Sequence, residues 1–437
     1  MASGLQLGDR LLSFAFLCCC IATPRSALAQ VIDEGIGVGQ DCVGSAVNDF
    51  AVVVGSCTKT EGITAGFASL SPGTSVELPH LAIGRSCDAG AISNNGLVVG
   101  SCNDVDSVSQ AVKWTDLAGT PTVQQLRPLG GDVKTVATAF NQDGAIAGVS
   151  ISGVGTSRPV LWKAGTTNAI ALPVGLLGLS SSNCSPTDVV AGSGTGPTVV
   201  GMCPDGRGKS RPMYWSPTGL LGAYVAALYA HPEGSDRCAV FQQISTGGSL
   251  GTCGFGLSGA RTTYWQNPAT PLVLTITDGA GRTLRNSGID MNASGQVLGQ
   301  VQLRDEPALP FVWDTRNNNF TVIAPLPGGF SASGVAIGNN GLVLINSETE
   351  EGNLHSAMWT YQTGTVDLPP ISGGDNSSAT NISKNGCHGA GESEVVGHEH
   401  HATEIELCSQ IQRRTLRGAK PREDFKAVVR PGLSRKL

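Results

Sequence analysis

The amino-acid sequence predicts an all-β protein that is built from many copies of one short unit. Residues 87–114 form the clearest copy: a hairpin with an Asn-Asn-Gly turn at 94–96, followed by a third strand that ends in tryptophan. The chain has six tryptophans, which lie 48, 53, 50, 48 and 46 residues apart. Four short strands per copy, repeated at a period of about 40 to 50 residues without intervening helices, indicate a β-propeller with four-stranded blades.

Each tryptophan lies at one fixed distance from the end of the hairpin, 14 residues after a repeat position that is usually glycine. The glycine and tryptophan pairs are Gly100 and Trp114, Gly148 and Trp162, Gly201 and Trp215, Gly251 and Trp265, and Gly299 and Trp313. Ile345 takes the place of glycine before Trp359. In the first copy, after Gly55, Phe67 stands in for tryptophan two residues out of register. The same offset in six copies predicts that the tryptophans are buried anchors, not a stacking surface for a ligand.

The last copy of the unit is degenerate. Residues 381–386 (NISKNG) begin it well, but the Val-Val-Gly segment arrives late, at 395–397, and no tryptophan follows His401. We therefore expect about seven complete blades, closed or extended by this half-repeat together with residues 31–40. Eight blades, the last one degenerate, are the alternative.

The chain begins with a predicted secretory signal peptide at residues 1–29. Arg10 precedes the apolar run 11–22, and Ala-Leu-Ala at 27–29 is typical of a cleavage site. The apolar run is shorter than the roughly 20 residues that a transmembrane helix needs, so we expect no transmembrane segment. The residues before the cysteines at 18–20 do not form a convincing lipid-attachment box. We expect a secreted or periplasmic protein.

The cysteines support export. Thirteen are present, and ten remain after the three in the leader, an even number. Four pairs have their midpoints on predicted hairpin turns, and residues equidistant from such a turn face each other at a separation that a disulfide can bridge. These pairs are Cys42 and Cys57, Cys87 and Cys102, Cys184 and Cys203, and Cys238 and Cys253. The remaining two, Cys387 and Cys408, are expected to pair. Zinc is not favoured, since no C-x-x-C pair is present.

The repeat motif carries a family resemblance. Its best copies are AISNNGLVVG at 91–100, HSAMW at 355–359, and the ends LGG at 129–131 and LPGG at 326–329. This motif resembles the HAF repeat of bacterial extracellular repeat proteins, over roughly residues 41–402. The resemblance implies a secreted, propeller-like protein of undefined biochemical role, and it transfers no catalytic residues.

Charge separates the propeller, residues 30–408, from the segment that follows it. The propeller has 17 basic and 31 acidic residues, a net charge of about −14 that would repel phosphate, so no nucleic-acid partner is expected. Residues 409–437 have nine basic and two acidic residues without apolar periodicity. We interpret them as a solvated, disordered basic tail, with contact to an anionic surface as the alternative.

Several motifs that suggest chemistry have a structural interpretation once they are placed on the repeat. Gly-Gly-Ser-Leu-Gly at 247–251 matches the nucleophile-elbow pattern, but its alignment puts Ser249 in the middle of a strand. Asn141-x-Asp143-Gly144 and Asn292-x-Ser294-Gly295 occupy positions that require turn-forming residues. The histidine cluster at 398–401 is not H-E-x-x-H. The sequence therefore predicts no catalytic, cofactor-binding or metal-binding residue.

These observations favour an exported, monomeric binding or scaffold module that contacts an unknown extracellular or cell-envelope ligand through its propeller loops. An enzyme is less expected. The alternative is a secreted propeller hydrolase or lyase with its site at the channel mouth. Such an enzyme should gather perturbed carboxylates or histidines from several blades at that mouth.

Overall fold

The computed structural model of the protein describes residues 30–34, 39–174, 179, 182–192, 196–218, 223–304, 306–371, 373–397, 399–408 and 426–431. These residues form eight antiparallel sheets, each with the four strands of one blade. Successive sheets contact one another in chain order, and the eighth contacts the first, so the ring is closed. The predicted all-β propeller is confirmed, with the eight blades of the alternative and not the favoured seven.

The strands follow one another as meanders. Blade eight contains β1 (Gln30–Asp33) as its outermost strand. Blades one to four are β2 (Gln40–Val47), β3 (Val53–Thr58), β4 (Thr64–Ser71) and β5 (Thr74–Glu77); β6 (Cys87–Ile92), β7 (Val98–Asn103), β8 (Ser109–Thr115) and β9 (Thr122–Gln125); β10 (Asp132–Phe140), β11 (Ile146–Ser152), β12 (Ser157–Trp162) and β13 (Ile170–Ala171); and β14 (Ser185–Val190), β15 (Thr198–Pro204), β16 (Ser210–Pro217) and β17 (Tyr224–Leu228).

Blades five to eight continue the pattern. They are β18 (Arg237–Gln243), β19 (Ser249–Gly254), β20 (Ala260–Asn267) and β21 (Thr270–Thr277), extended by β22 (Thr283–Leu284); β23 (Asn286–Met291), β24 (Gln296–Val301), β25 (Leu309–Asp314) and β26 (Asn319–Val322); β27 (Ala332–Ile337), β28 (Val343–Glu348), β29 (Leu354–Thr360) and β30 (Gly364–Leu368); and β31 (Ser377–Ile382), β32 (His388–Glu394) and β33 (His400–Glu406). Within the described ranges one 3-10 turn occurs, Gly256–Ser258, between β19 and β20.

The expectation of seven blades was wrong because the late Val-Val-Gly segment at 395–397 was interpreted as the end of the second strand of the eighth copy. Gly391, not Gly397, holds the position of the repeat glycine: a Cβ on Gly391 would meet the carbonyl of the first strand, as in the other blades. Ile405 follows it by 14 residues and pairs with Gly389, the register in which Trp114 pairs with Val98. An aliphatic residue therefore fills the tryptophan position, and the eighth blade is complete.

The N-terminal segment closes the ring. Residues 30–33 of β1 pair antiparallel with residues 403–406 of β33, so the first and last strands of the propeller share blade eight. This agrees with the expectation that the N-terminal segment and the eighth copy act together. The predicted leader, residues 1–29, lies outside the described residues.

A bulge in the first strand explains the repeat glycine. In every blade the register of the first strand slips by one residue, for example between Ala89 and Ala91 in blade two. The bulge directs a carbonyl at the second strand: a Cβ on Gly100 would lie 2.0 Å from the oxygen of Asp88 and 3.0 Å from the ring of Trp114. In this blade only glycine leaves room for both, whereas blade seven has the same bulge with Ile345 at the repeat position.

The core lies between neighbouring blades, and the tryptophans are central to it. All six are buried, with at most 5% of each residue exposed. The indole N–H of Trp114, Trp162 and Trp265 donates to the backbone carbonyl of the residue 35 positions earlier. In blade one the tryptophan position is held by Ser69, which pairs with Val53, whereas Phe67 pairs with Gly55. Phe67 is buried against that glycine but does not replace the tryptophan.

The described residues contain five disulfide bonds, which join the four pairs that the spacing indicates and the remaining pair, Cys387 and Cys408. Four join the first and second strands of one blade, with Cα atoms 4.1 Å apart: Cys42 and Cys57, Cys87 and Cys102, Cys184 and Cys203, and Cys238 and Cys253. Cys387 and Cys408 link the hairpin of blade eight to the end of its third strand. Each disulfide therefore staples a single blade.

Part of the basic tail is described. Residues 426–431 form β34, which pairs antiparallel with β21 on the outer edge of blade five. Residues 409–425 and 432–437 lie outside the described residues. The prediction of a disordered tail is untested for them.

Candidate functional site

The hairpin turns between the first and second strands of the blades surround one end of the central channel, which we call the hairpin-turn mouth. Backbone N–H groups of these turns donate to side chains of the next blade, which joins the turns into a girdle. The bonds run from Asp49 N to Asn94 Oδ1 (2.9 Å), Asn94 N to Gln142 Oε1 (2.7 Å), Ala293 N to Asn339 Oδ1 (2.9 Å) and Asn385 N to Asp49 Oδ1 (2.7 Å). Together with the bond from the N–H of Asn339 to the carbonyl of Lys384 (2.9 Å), they join the turns of blades six, seven, eight, one, two and three.

Polar residues break the repeat at one position just below this girdle. The residue after the bulge is alanine in blades one, two, three and seven, namely Ala46, Ala91, Ala139 and Ala336. In the other four blades it is Asp188, Gln242, Asp290 and Asn381. We call Asp188, Gln242 and Asp290, from three consecutive blades, the polar set. Sequence reasoning missed it because a bulge cannot be read from the strand pattern.

Both oxygens of the Asp188 carboxylate accept backbone hydrogen bonds. Oδ1 accepts from the N–H of Val189 (2.8 Å), and Oδ2 accepts from the N–H of Gln243 in the next blade (2.7 Å). Burial raises the pKa of Asp188 above its ordinary value, although these two bonds and the positive charge of Lys384 act in the opposite direction. The charge of Asp290 adds a further, smaller increase.

Asp290 is engaged in the same way. Its Oδ1 accepts from the N–H of Met291 (2.8 Å) and from Nε2 of Gln242 (2.8 Å), and its Oδ2 accepts from the N–H of Ile337 (2.9 Å). Each carboxylate thus satisfies a backbone donor of the following blade at the point where the bulge interrupts the ladder. The hydrogen bonds of Asp188 and Asp290 therefore join blades four to seven.

Lys384 is the cation of this mouth. It occupies the hairpin turn of blade eight, opposite blade four in the ring, and its side chain is exposed. Its charge lowers the pKa of Asp188, so it lies within electrostatic reach of the polar set. Residues from opposite sides of the ring therefore share one electrostatic environment.

The motifs singled out in the sequence do not form a site. Ser249 is fully buried, and its hydroxyl bonds only to that of Tyr229 (2.8 Å), whose pKa is raised by burial. The amide oxygens of Asn141 and Asn292 accept backbone N–H bonds of their own turns. His401 bonds to Asp33 (2.9 Å), and His398 lies outside the described residues.

Within the part of the chain that the structure describes, no cluster of three or more histidine, cysteine, aspartate or glutamate side chains could hold a metal ion. Among the helices described, none is both long enough and apolar enough to cross a membrane.

Fold and site together define an all-β propeller of eight blades with a polar mouth. No family model and no curated protein sequence matches the chain. Among solved structures it is similar to an acylaminoacyl peptidase of Pyrococcus horikoshii, with 11% identity and a TM-score of 0.44, over 68% of this chain and 47% of the peptidase. The chain thus spans about half the length of that peptidase.

Two further similarities cover most of the other protein. A lectin of Aleuria aurantia has 13% identity and a TM-score of 0.33, over 64% of this chain and 94% of the lectin. An oligogalacturonate lyase has 10% identity and a TM-score of 0.44, over 85% of this chain and 99% of the lyase. At such identities the likeness concerns the fold alone. It assigns no ligand or activity.

Proposed function

We propose that this protein is an exported, non-enzymatic module that binds a ligand at its hairpin-turn mouth. The observation that carries the proposal is the replacement of the repeat alanine by polar side chains at a mouth whose turns are fixed by bonds between blades. A rigid rim loses little conformational entropy on binding. Five disulfide bonds are typical of extracellular or periplasmic proteins, which supports export.

The rim chemistry favours a hydroxyl-rich ligand that carries an acidic group, such as an acidic saccharide. Amides and hydroxyls donate to and accept from sugar hydroxyls, an ammonium group attracts a carboxylate, and an aromatic face packs against sugar C–H groups. Among the exposed rim side chains, those that supply these groups are Phe50, Gln142, Ser245, Thr246, Asn339, Asn340 and Lys384, and Asp143 is an exposed acid on the same rim.

An array of saccharides with and without carboxylate groups tests the proposal. We expect retention of acidic members, and we expect Lys384→Ala to weaken it by about tenfold or more, because a hydrogen bond to a charged group contributes about 1.5–3 kcal/mol. Lys209→Ala is the matched control, since Lys209 is exposed in a turn at the opposite end of the channel. Equal retention by both variants would contradict binding at this mouth. Retention of peptides in place of saccharides would contradict the ligand class.

One observation favours the alternative, a hydrolase or lyase. Asp188 and Asp290 come from two blades to one mouth, and the pKa of Asp188 is raised, as expected of a catalytic carboxyl. Both oxygens of each carboxylate already accept backbone N–H bonds. These bonds hold both carboxylates between neighbouring blades, as a structural role requires, so the binding role is favoured.

A further inference from the structure

The junction between blades eight and one differs from the others. Blade one has Ser69 at the tryptophan position, and Ser69 is fully buried. Its hydroxyl donates to Oε2 of Glu34, the residue that follows β1. Glu34 is itself 1% exposed. A serine and a glutamate therefore meet where other blades bury an indole.

The spacing shows that this pair replaces a repeated contact. In blades two, three and five the indole N–H donates to the backbone carbonyl of the residue 35 positions earlier. Glu34 lies 35 positions before Ser69. At this junction a carboxylate side chain therefore accepts the bond that a backbone carbonyl accepts elsewhere. The acceptor in those blades is a backbone carbonyl, which does not titrate, whereas the acceptor here is the carboxyl group of Glu34, which does.

Glu34 also holds the closing strand in place. Its backbone N–H donates to the carbonyl of Ala402 (3.2 Å), and its own carbonyl accepts from the N–H of Gly73 in blade one (3.2 Å). Only four residue pairs join β1 to β33. Glu34 therefore extends this short strand pairing by one hydrogen bond and joins it to blade one by another.

The surroundings of the carboxyl disfavour its negative charge. Oε1 of Glu34 has no hydrogen-bond partner among the described residues. Two acids act on it, Glu404 of β33 and Asp33 of β1, and β4 carries no charged side chain. His388 pairs with Glu404 (2.8 Å) and His401 pairs with Asp33 (2.9 Å).

These contacts affect the carboxyl in a defined order. Burial raises the pKa of Glu34 to about 7, the bond from Ser69 opposes that increase, and the charges of Glu404 and Asp33 add to it. The carboxyl therefore titrates near neutral pH while the strand is closed.

We propose that Glu34 is a proton-dependent latch: β1 stays on blade eight while this carboxyl is neutral, and the ring loosens at this junction as the carboxyl ionises. An opened strand returns the carboxyl to water, where its ordinary pKa is 4.5. The closed state then binds the proton more tightly. Its contribution to closure is complete below pH 4.5 and is lost as the pH rises to about 7.

Hydrogen exchange followed by mass spectrometry on the full chain tests the latch. After correction for the intrinsic rate, amides of residues 30–34 should exchange about tenfold faster or more at about pH 8 than at about pH 5.5. Glu34→Gln, which keeps the shape and cannot ionise, should remove this difference. Glu61→Gln, at an exposed turn of the neighbouring blade one, is the matched control and should keep it.

Two results would overturn the latch. One is equal protection of residues 30–34 at both pH values in the unsubstituted protein, a measurement that does not depend on any variant folding. The other is a pH dependence that persists in Glu34→Gln and disappears in His401→Gln, which would assign the titration to the histidine that pairs with Asp33.

Discussion

At the repeat glycine, a backbone carbonyl oxygen and an aromatic ring lie too close to leave room for a side chain. In blade five, a Cβ on Gly251 would lie 2.0 Å from the carbonyl oxygen of Ala239 and 2.7 Å from the ring of Trp265. Gly251→Ala should therefore lower the free energy of unfolding by about 1–3 kcal/mol, the usual cost of overpacking, as measured by denaturant melts.

Gly130→Ala is the control for that substitution. Gly130 has nothing within 4 Å of its added Cβ, so its melt should match that of the unsubstituted chain. A Gly251→Ala protein as stable as Gly130→Ala would show that the bulge carbonyl does not restrict the second strand.

The tryptophans are the second determinant at this scale. Trp265 is fully buried and donates to the carbonyl of Ala230 (2.8 Å). Trp265→Ala should cost about 3–5 kcal/mol in denaturant melts, because it leaves a cavity between blades four and five. Phe50→Ala, at a side chain that is 70% exposed, should be near neutral. Comparable losses for both would contradict an anchoring role.

At the scale of strands and blades, the hairpins were predictable and their exceptions were not. The turn residues and cysteine midpoints determine the register of the first two strands, since residues equidistant from a turn are paired. Val395, Val396 and Gly397 resemble the end of a repeat strand, so the repeat position of blade eight was assigned to Gly397 and not to Gly391. The 14-residue offset from Gly391 to Ile405 was a usable signal, but it required an anchor other than tryptophan.

The disulfides give the prediction that belongs to this scale. Replacing both Cys238 and Cys253 by alanine should cost about 3 kcal/mol, the chain-entropy value for a loop of about 15 residues. Peptide mapping of the unreduced, exported protein should recover the five pairs of the structure. Links between different blades would contradict the hairpin register.

At the scale of the whole molecule, the ring depends on contacts that join residues far apart in sequence. At the bulges, Thr138 Oγ1 donates to the carbonyl of Pro186 (2.7 Å) and Thr187 Oγ1 to that of Val240 (2.8 Å), each in the next blade. The polar set and the Glu34–Ser69 pair likewise bring together residues from different blades. No local pattern shows such convergence, so the sequence predicted the propeller and missed the site.

The measurement that tests the central claim most directly combines binding and turnover on one preparation. The purified protein would be screened against glycosidase, esterase, phosphatase and lyase substrates, and in parallel for retention of acidic saccharides. We expect retention that Lys384→Ala weakens, and no turnover above the background of a heat-denatured sample. Turnover that is abolished by Asp188→Asn or Asp290→Asn, with the denaturant melt unchanged, would contradict a non-enzymatic binding module and establish the alternative.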